Sequence, residues 1–182
     1  PRPRARPYLV VQEVDVGWRG WLLTTLFELS ARPYAALHRD RQAWGLTAAD
    51  LVAYPSGSLG EALGHHLHER GFELMPKLES HDVWHLLTGV GTDVVSEVAL
   101  QYLLAGNGKR SPYLLAVVVL GGVVFPEAWA VFAAAFRRGR RLPAFHRWPV
   151  GRWLHEPIAD LRERLAGPGR APVVVTQTQV AR

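Results

Sequence analysis

Short helical segments, each with its own start and stop signal, follow one another along most of this sequence of 182 residues. Thr47 and Asp50 form a start that resembles a capping box, with Asp in the place usually taken by Glu. Ser58 and Glu61 form a fuller capping box, and the helix that follows ends at Gly71, a residue type that readily takes the left-handed conformation closing many helices.

These signals predict an all-α fold, with one domain covering residues 1–182. We expect a single-domain bundle of about seven or eight helices with less than about one-tenth strand. Short loops favour antiparallel packing of neighbouring helices. The N-terminal arm and the C-terminal tail have no assignment beyond two candidate strands, Tyr8 to Val11 and Val173 to Val175.

The longest apolar stretch runs from Tyr113 to Phe136 and is interrupted at Gly121 and Pro126. Its uninterrupted part, Leu114 to Phe125, is too short to cross a bilayer as a helix. Proline fits the first turn of a helix, so the stretch predicts two buried helices joined near Gly121 to Pro126.

The formal net charge is +5, and the chain contains no cysteine. Thiol catalysis, disulfides and cysteine-ligated metal centres are therefore excluded. The arginines form two short clusters instead of one uniform basic face, so nucleic acid is not an expected partner. Such clusters fit an anionic membrane surface, a phosphate or solvated helix ends; they consist of Arg2, Arg4 and Arg6, and of Arg137, Arg138, Arg140 and Arg141.

A candidate metal site lies on either side of a glycine turn. His81 and His85 are four residues apart and so share one face of a helix, where two imidazoles can bind one metal ion. On an unbroken helix Glu97 would lie about 18 Å further along the axis. The break at residues 89–91 lets a second helix fold back, which predicts a helix–turn–helix with ligands on both arms.

Asp82 lies beside His81, turned about 100° around the helix axis. The pattern is similar to the His-Glu-x-x-His motif of zinc hydrolases, but Asp is shorter than Glu and would reach a metal-bound water less well. Spacing alone leaves a metal site, a histidine pair on a solvated face and an unrelated metallohydrolase all open. His65, His66 and His68 end another helix and are expected at the surface, where histidine suits the helix dipole.

The motif and its flanks resemble the coenzyme Q (ubiquinone) biosynthesis protein 4 family over about residues 17–166. That family is marked by His-Asp-x-x-His, eleven residues and then Glu, which this chain has as His81, Asp82, His85 and Glu97. The segments 54–60, 136–140 and 157–162 are also similar to the family. Ser96 departs from it, because a glycine is expected before the Glu.

The resemblance implies that His81, Asp82, His85 and Glu97 bind a divalent metal ion and act through it. Zinc is the expected ion, although Fe²⁺, Mn²⁺ and Mg²⁺ also suit such ligands. The implied reaction replaces the ring C1 carboxyl of a 4-hydroxy-3-methoxy-5-polyprenylbenzoate by hydroxyl, a metal-dependent oxidative decarboxylation. The alternative is a non-catalytic scaffold that binds prenyl lipids and organises the biosynthetic complex.

The resemblance also implies partners and a place in the cell. The partners would be a polyprenylated quinone precursor, other ubiquinone-biosynthesis proteins and a membrane surface, with a homodimer left open. The protein would be cytoplasmic and peripheral to the inner membrane in a bacterium, or on the matrix side of the mitochondrial inner membrane in a eukaryote. The apolar helix pair would either form plain core or line a tunnel for the isoprenoid tail, together with Trp18, Trp21, Trp84 and Trp129.

Overall fold

The computed structural model describes residues 17–21, 25, 44–71 and 79–167, and these residues form helices joined by short turns. Within these ranges there is no strand, and one isolated bridge joins Ser58 to Pro157. The predicted all-α bundle of seven or eight helices is confirmed, while both candidate strands lie outside the described residues. The helices are α1 (residues 17–21 and 25), α2 (Ala48–Val52), α3 (Leu59–Arg70), α4 (Glu79–Thr88), α5 (Val94–Gly106), α6 (Pro112–Val124), α7 (Trp129–Arg141) and α8 (Ile158–Ala166).

Local capping signals set where the early helices begin and end. Thr47 and Asp50 form the predicted reciprocal capping box at the start of α2. At α3, the Ser58 hydroxyl accepts a hydrogen bond from the Glu61 amide at 3.2 Å. The Glu61 carboxylate accepts from the amide of Gly57 at 2.6 Å, one residue earlier than in a standard capping box. Gly71 ends α3 in the predicted left-handed conformation, with φ of 63°.

Helices α5 and α7 pack closely at the centre of the core because glycines let their backbones approach. A methyl group on Gly139 would collide with the carbonyl oxygen of Leu103, and one on Gly106 would collide with that of Phe136. Asn107, at the end of α5, donates hydrogen bonds to the carbonyl of Gly139 at 3.1 Å and to that of Pro143 at 2.7 Å. These contacts hold the end of α7 against α5, which carries part of the candidate site.

The apolar stretch is divided as predicted, but its first helix is buried on one side only. Helices α6 and α7 meet at a bend of 105°; no single described helix is long and apolar enough to cross a membrane, and the bent pair passes that test only when taken together. Helix α6 buries Leu114, Val117 and Gly121 against the core, whereas Leu115, Val119 and Val123 are 62%, 54% and 74% exposed. Because α6 is apolar on every side, its sequence carries no signal for which face is buried.

Candidate metal centre

Two consecutive helices joined by a short turn bring the candidate ligands together. Helix α4 carries His81 and His85 and is followed by a turn at Gly89, whose φ of 67° favours glycine. Asp93 then caps α5 by accepting a hydrogen bond from the Ser96 amide at 3.0 Å. Glu97 lies in the first turn of α5 and faces back toward α4, so the predicted helix–turn–helix arrangement is confirmed.

Three side chains converge at this site at nearly equal distances. Glu97 Oε2 lies 3.0 Å from His81 Nε2, and Glu97 Oε1 lies 3.1 Å from His85 Nε2. The two Nε2 atoms are 3.1 Å apart. The His85 side chain is 2% exposed, while His81 and Glu97 are 21% and 30% exposed. The site is therefore closed behind His85 and open on the side of His81 and Glu97.

A backbone contact fixes how His85 faces the site. Its Nδ1 lies 3.0 Å from the carbonyl oxygen of Val90. A carbonyl only accepts, so Nδ1 must carry the proton that it donates. The Nε2 of the neutral ring then presents a lone pair to the Glu97 carboxylate, which is itself an acceptor. Such a cluster of acceptors requires a cation, either a proton or a metal ion.

The pKa values of the metal-free site follow from this geometry. Burial lowers the pKa of His85, but hydrogen bonding and attraction by Glu97, together with the Val90 carbonyl and the charge of Asp82, outweigh burial and raise that pKa above 6.5. Burial raises the pKa of Glu97, yet the two imidazoles lower it to about 2. At neutral pH the Glu97 carboxylate is ionised, as a metal ligand must be.

The residues present fit a divalent ion. The candidate donor atoms of His81, His85 and Glu97 all lie within 4.8 Å of one another. Ligand bonds of about 2.0–2.2 Å place neighbouring donors roughly 3–3.5 Å apart, close to the spacing observed here. A carbonyl hydrogen bond to the second nitrogen of a ligating histidine, as Val90 provides, is the usual support of such a ligand.

Asp82, the fourth predicted ligand, is not part of this group of three. As its sequence position indicates, it projects from α4 about 100° away from His81. Its charge nevertheless raises the pKa of His85. Asp82 therefore acts on the site electrostatically in this conformation, and direct coordination by it stays a prediction.

His66 contradicts the expectation of a surface position. His65 and His68 are exposed, but His66 is only 8% exposed. The signal was present in the sequence, because His66 follows the core residue Leu63 by three positions and so lies on the buried face of α3. Of the tryptophans predicted to line a tunnel, Trp84 is buried in the core, whereas Trp18, Trp21 and Trp129 are largely exposed.

Comparison with known proteins shows a shared fold. No family model matches the chain, and no curated protein matches it at a significant level. Among solved structures, the chain is similar to the crystal structure of a proposed ubiquinone biosynthesis protein from Nostoc punctiforme, with a TM-score of 0.55. The two are 19% identical over 80% of this chain and 79% of that one. At this identity, the likeness shows a common all-helical architecture.

Proposed function

We propose that this protein binds a divalent metal ion, most simply Zn²⁺, and acts in ubiquinone biosynthesis on a polyprenylated hydroxybenzoate. The proposed reaction is oxidative decarboxylation with hydroxylation at ring carbon C1. The observation that carries the proposal is the convergence of His81, His85 and Glu97, where the His85 lone pair faces a carboxylate. The motif resemblance and the fold shared with the Nostoc protein give the proposal its biosynthetic context.

The site residues divide the work between holding the ion and leaving it accessible. A bound divalent ion supplies a Lewis acid that stabilises negative charge on an oxygen ligand. His85, buried and fixed by Val90, orients the closed side of the site. The partly exposed sides of His81 and Glu97 leave an approach for a substrate carboxylate or phenolate.

The proposed chemistry also needs an oxidant. Replacing a ring carboxyl by hydroxyl releases CO₂ and removes two electrons from the aromatic substrate. Zinc has no redox chemistry, so with zinc the oxidant must be dioxygen reacting with the electron-rich ring or an external acceptor. In either case His81, His85 and Glu97 would hold the ion that the substrate's carboxylate or phenolate approaches.

A non-catalytic scaffold is the second candidate, and the exposed apolar surface favours it. However, structural zinc sites are normally closed by four protein ligands, whereas catalytic sites keep an open position. Three converging ligands with partly exposed His81 and Glu97 match the catalytic kind. We therefore place the catalytic role first.

We further propose that the protein is peripheral to an anionic membrane, which would be the bacterial inner membrane or its mitochondrial counterpart. Its contact would be the apolar face, defined as Leu115, Val119, Leu120, Val123 and Trp129, all of which are 45% exposed or more. Trp129 donates its indole hydrogen to the carbonyl of Gly122 at 2.7 Å, which places its ring beside this face. Trp18 and Trp21 are 74% and 70% exposed on α1, which Arg19 joins to the α6–α7 bend through Val124 and Glu127. Tryptophan favours such interfacial positions.

Complementation of a strain that lacks its own C1-decarboxylating protein tests the function. The wild-type chain should restore quinone, while Glu97→Gln should leave a prenylated C1-carboxylate as the accumulating intermediate in mass spectra. Glu163→Gln, which changes an exposed carboxylate on α8, is the matched control and should restore quinone. If the protein is instead a scaffold, intermediates of earlier biosynthetic steps should accumulate. Full restoration of quinone by Glu97→Gln would refute the catalytic role.

A further inference from the structure

A fourth histidine is buried on the helix that packs against α4. His66 lies on the inner face of α3, together with Leu59, Leu63 and Leu67. Its Nε2 atom is fully enclosed and has no hydrogen-bond partner among the described residues. Buried polar side-chain atoms are nearly always paired, so this enclosed imidazole nitrogen needs a partner, and a water molecule or a bound ligand could be that partner.

The position of His66 relates it to the candidate metal centre. Helix α3 packs on α4, the helix of His81 and His85. His66 is close enough to His85 and Glu97 for the charges of both to alter its pKa. It nevertheless does not belong to the three residues whose donor atoms lie within 4.8 Å of one another. His66 therefore stands outside the three converging donors but near enough to them for their charges to act on it.

The environment also keeps this imidazole uncharged. Burial, with smaller contributions from Arg70 and His85, lowers the pKa of His66 to about 4. A neutral imidazole retains one N–H donor and one lone pair. It adds no positive charge that would repel a metal ion, and it can donate to an anionic oxygen bound on that ion.

We propose that His66 is a positioning residue of the site, hydrogen-bonding through Nε2 to a carboxylate or phenolate oxygen of the ligand on the ion that His81, His85 and Glu97 hold. This inference rests on the proposed metal-binding function and deepens it by assigning the group that recognises the bound oxyanion. The implied ligand class is an aromatic carboxylate or phenol. His66 would favour ligands that place a carboxylate or phenolate oxygen on the side of the ion facing α3.

Binding of benzoate and of 4-hydroxybenzoate to Co²⁺-loaded protein tests the proposal, with the visible absorption of the cobalt as the readout. His66→Leu removes the hydrogen bond at similar bulk, and His66→Gln retains a donor. We expect one Co²⁺ per chain in wild type and in both variants. A hydrogen bond to a charged group corresponds to at least about a tenfold effect, so benzoate should bind that much more weakly to His66→Leu. His66→Gln should recover part of the loss, and His68→Leu on the exposed side of α3 should bind as wild type does.

The outcomes separate this inference from the function on which it rests. Unchanged benzoate binding in metal-loaded His66→Leu would overturn the role of His66 and leave the metal site intact. Loss of cobalt from a folded His66→Gln would also overturn it, because His66 would then be a direct ligand. A wild-type protein that takes up no Co²⁺ would refute the proposed metal-binding function, and the inference with it. Should His66→Leu not fold, His66→Ala, which also lacks a donor, takes its place and is judged by the same criteria.

Discussion

Arg138 on α7 donates a hydrogen bond of 2.6 Å to the carbonyl oxygen of Thr88, the last residue of α4. Arg162 on α8 similarly donates to the carbonyl of Leu86 at 2.9 Å. The last carbonyls of a helix lack partners within it, and both arginines satisfy them at the end of the helix that carries His81 and His85. One member of the arginine cluster thus supports the helix of the candidate metal ligands instead of facing solvent.

Replacing Arg138 should therefore destabilise the protein. In Arg138→Met, the Thr88 carbonyl loses its charged donor while most of the side-chain stem is kept. We expect the free energy of unfolding to fall by about 1.5–3 kcal/mol, measured by urea denaturation. Arg137→Met, at an exposed neighbouring position, should change it by less than about 0.5 kcal/mol. Equal effects of the two substitutions would contradict the assigned role.

A second prediction concerns the close contact between α5 and α7. A methyl group at Gly139 meets the carbonyl oxygen of Leu103, a backbone atom that cannot turn aside. Gly139→Ala should therefore separate the helices and lower the thermal midpoint, with a cost of at least about 1–3 kcal/mol for overpacking. Arg140→Ala, one residue further along α7 and exposed, serves as the control. A Gly139→Ala protein as stable as wild type would show that the two helices are free to move apart.

Much of this architecture could be predicted because the signals are local. The capping box of Thr47, the left-handed Gly71 and the turn at Gly89 each act over a few residues. The same turn, with the spacing of His81, His85 and Glu97, predicted that these three side chains come together, as they do in the structure.

What could not be predicted depends on which surfaces meet. The role of Arg138 follows from a contact across 50 residues. The burial of His66, in contrast, could have been predicted from its spacing to Leu63. The sequence also does not indicate which side of α6 is exposed, because a helix that is apolar all round gives no periodic signal.

Membrane binding should depend on the apolar face and on the exposed arginines, not on Arg138. Each arginine near an anionic surface adds about 1 kcal/mol, so the triple substitution Arg137→Ala, Arg140→Ala and Arg141→Ala should weaken vesicle binding by roughly two orders of magnitude at low salt. Val119→Glu should weaken binding at every salt concentration. Sedimentation with vesicles containing phosphatidylglycerol measures both effects, and Arg147→Ala is an exposed control. If vesicle binding changes neither with salt concentration nor with any of these substitutions, the proposed membrane-binding surface is wrong.

The metal-free protein should be most stable near pH 6.5. The pKa of His85 is raised in the fold, so its contribution is complete below 6.5 and is lost as pH rises through the raised value. His66 is neutral in the fold with a pKa of about 4, so stability also falls as pH drops from 6.5 toward 4. Glu97 adds a further loss from 4.5 down to about 2. Urea midpoints across this range measure the profile, and His66→Gln should flatten it between 6.5 and 4.5. If the stability of the metal-free protein keeps rising above pH 7, this result would contradict the raised pKa of His85.

Metal binding should compete with the proton that His85 holds in the metal-free site. Because the Val90 carbonyl keeps the proton on Nδ1, the second proton lies on Nε2, the atom that would bind the ion. Below the raised pKa of His85, affinity for Zn²⁺ should therefore rise at least about tenfold per pH unit, with at least one proton released per ion. In Glu97→Gln the carboxylate that raises this pKa is gone. Its affinity should be lower overall and should level off at a lower pH than in wild type. Competition titration with a chelator between pH 5.5 and 8.5 measures both curves, and a wild-type affinity independent of pH over that range would show that His85 does not bind the ion through Nε2.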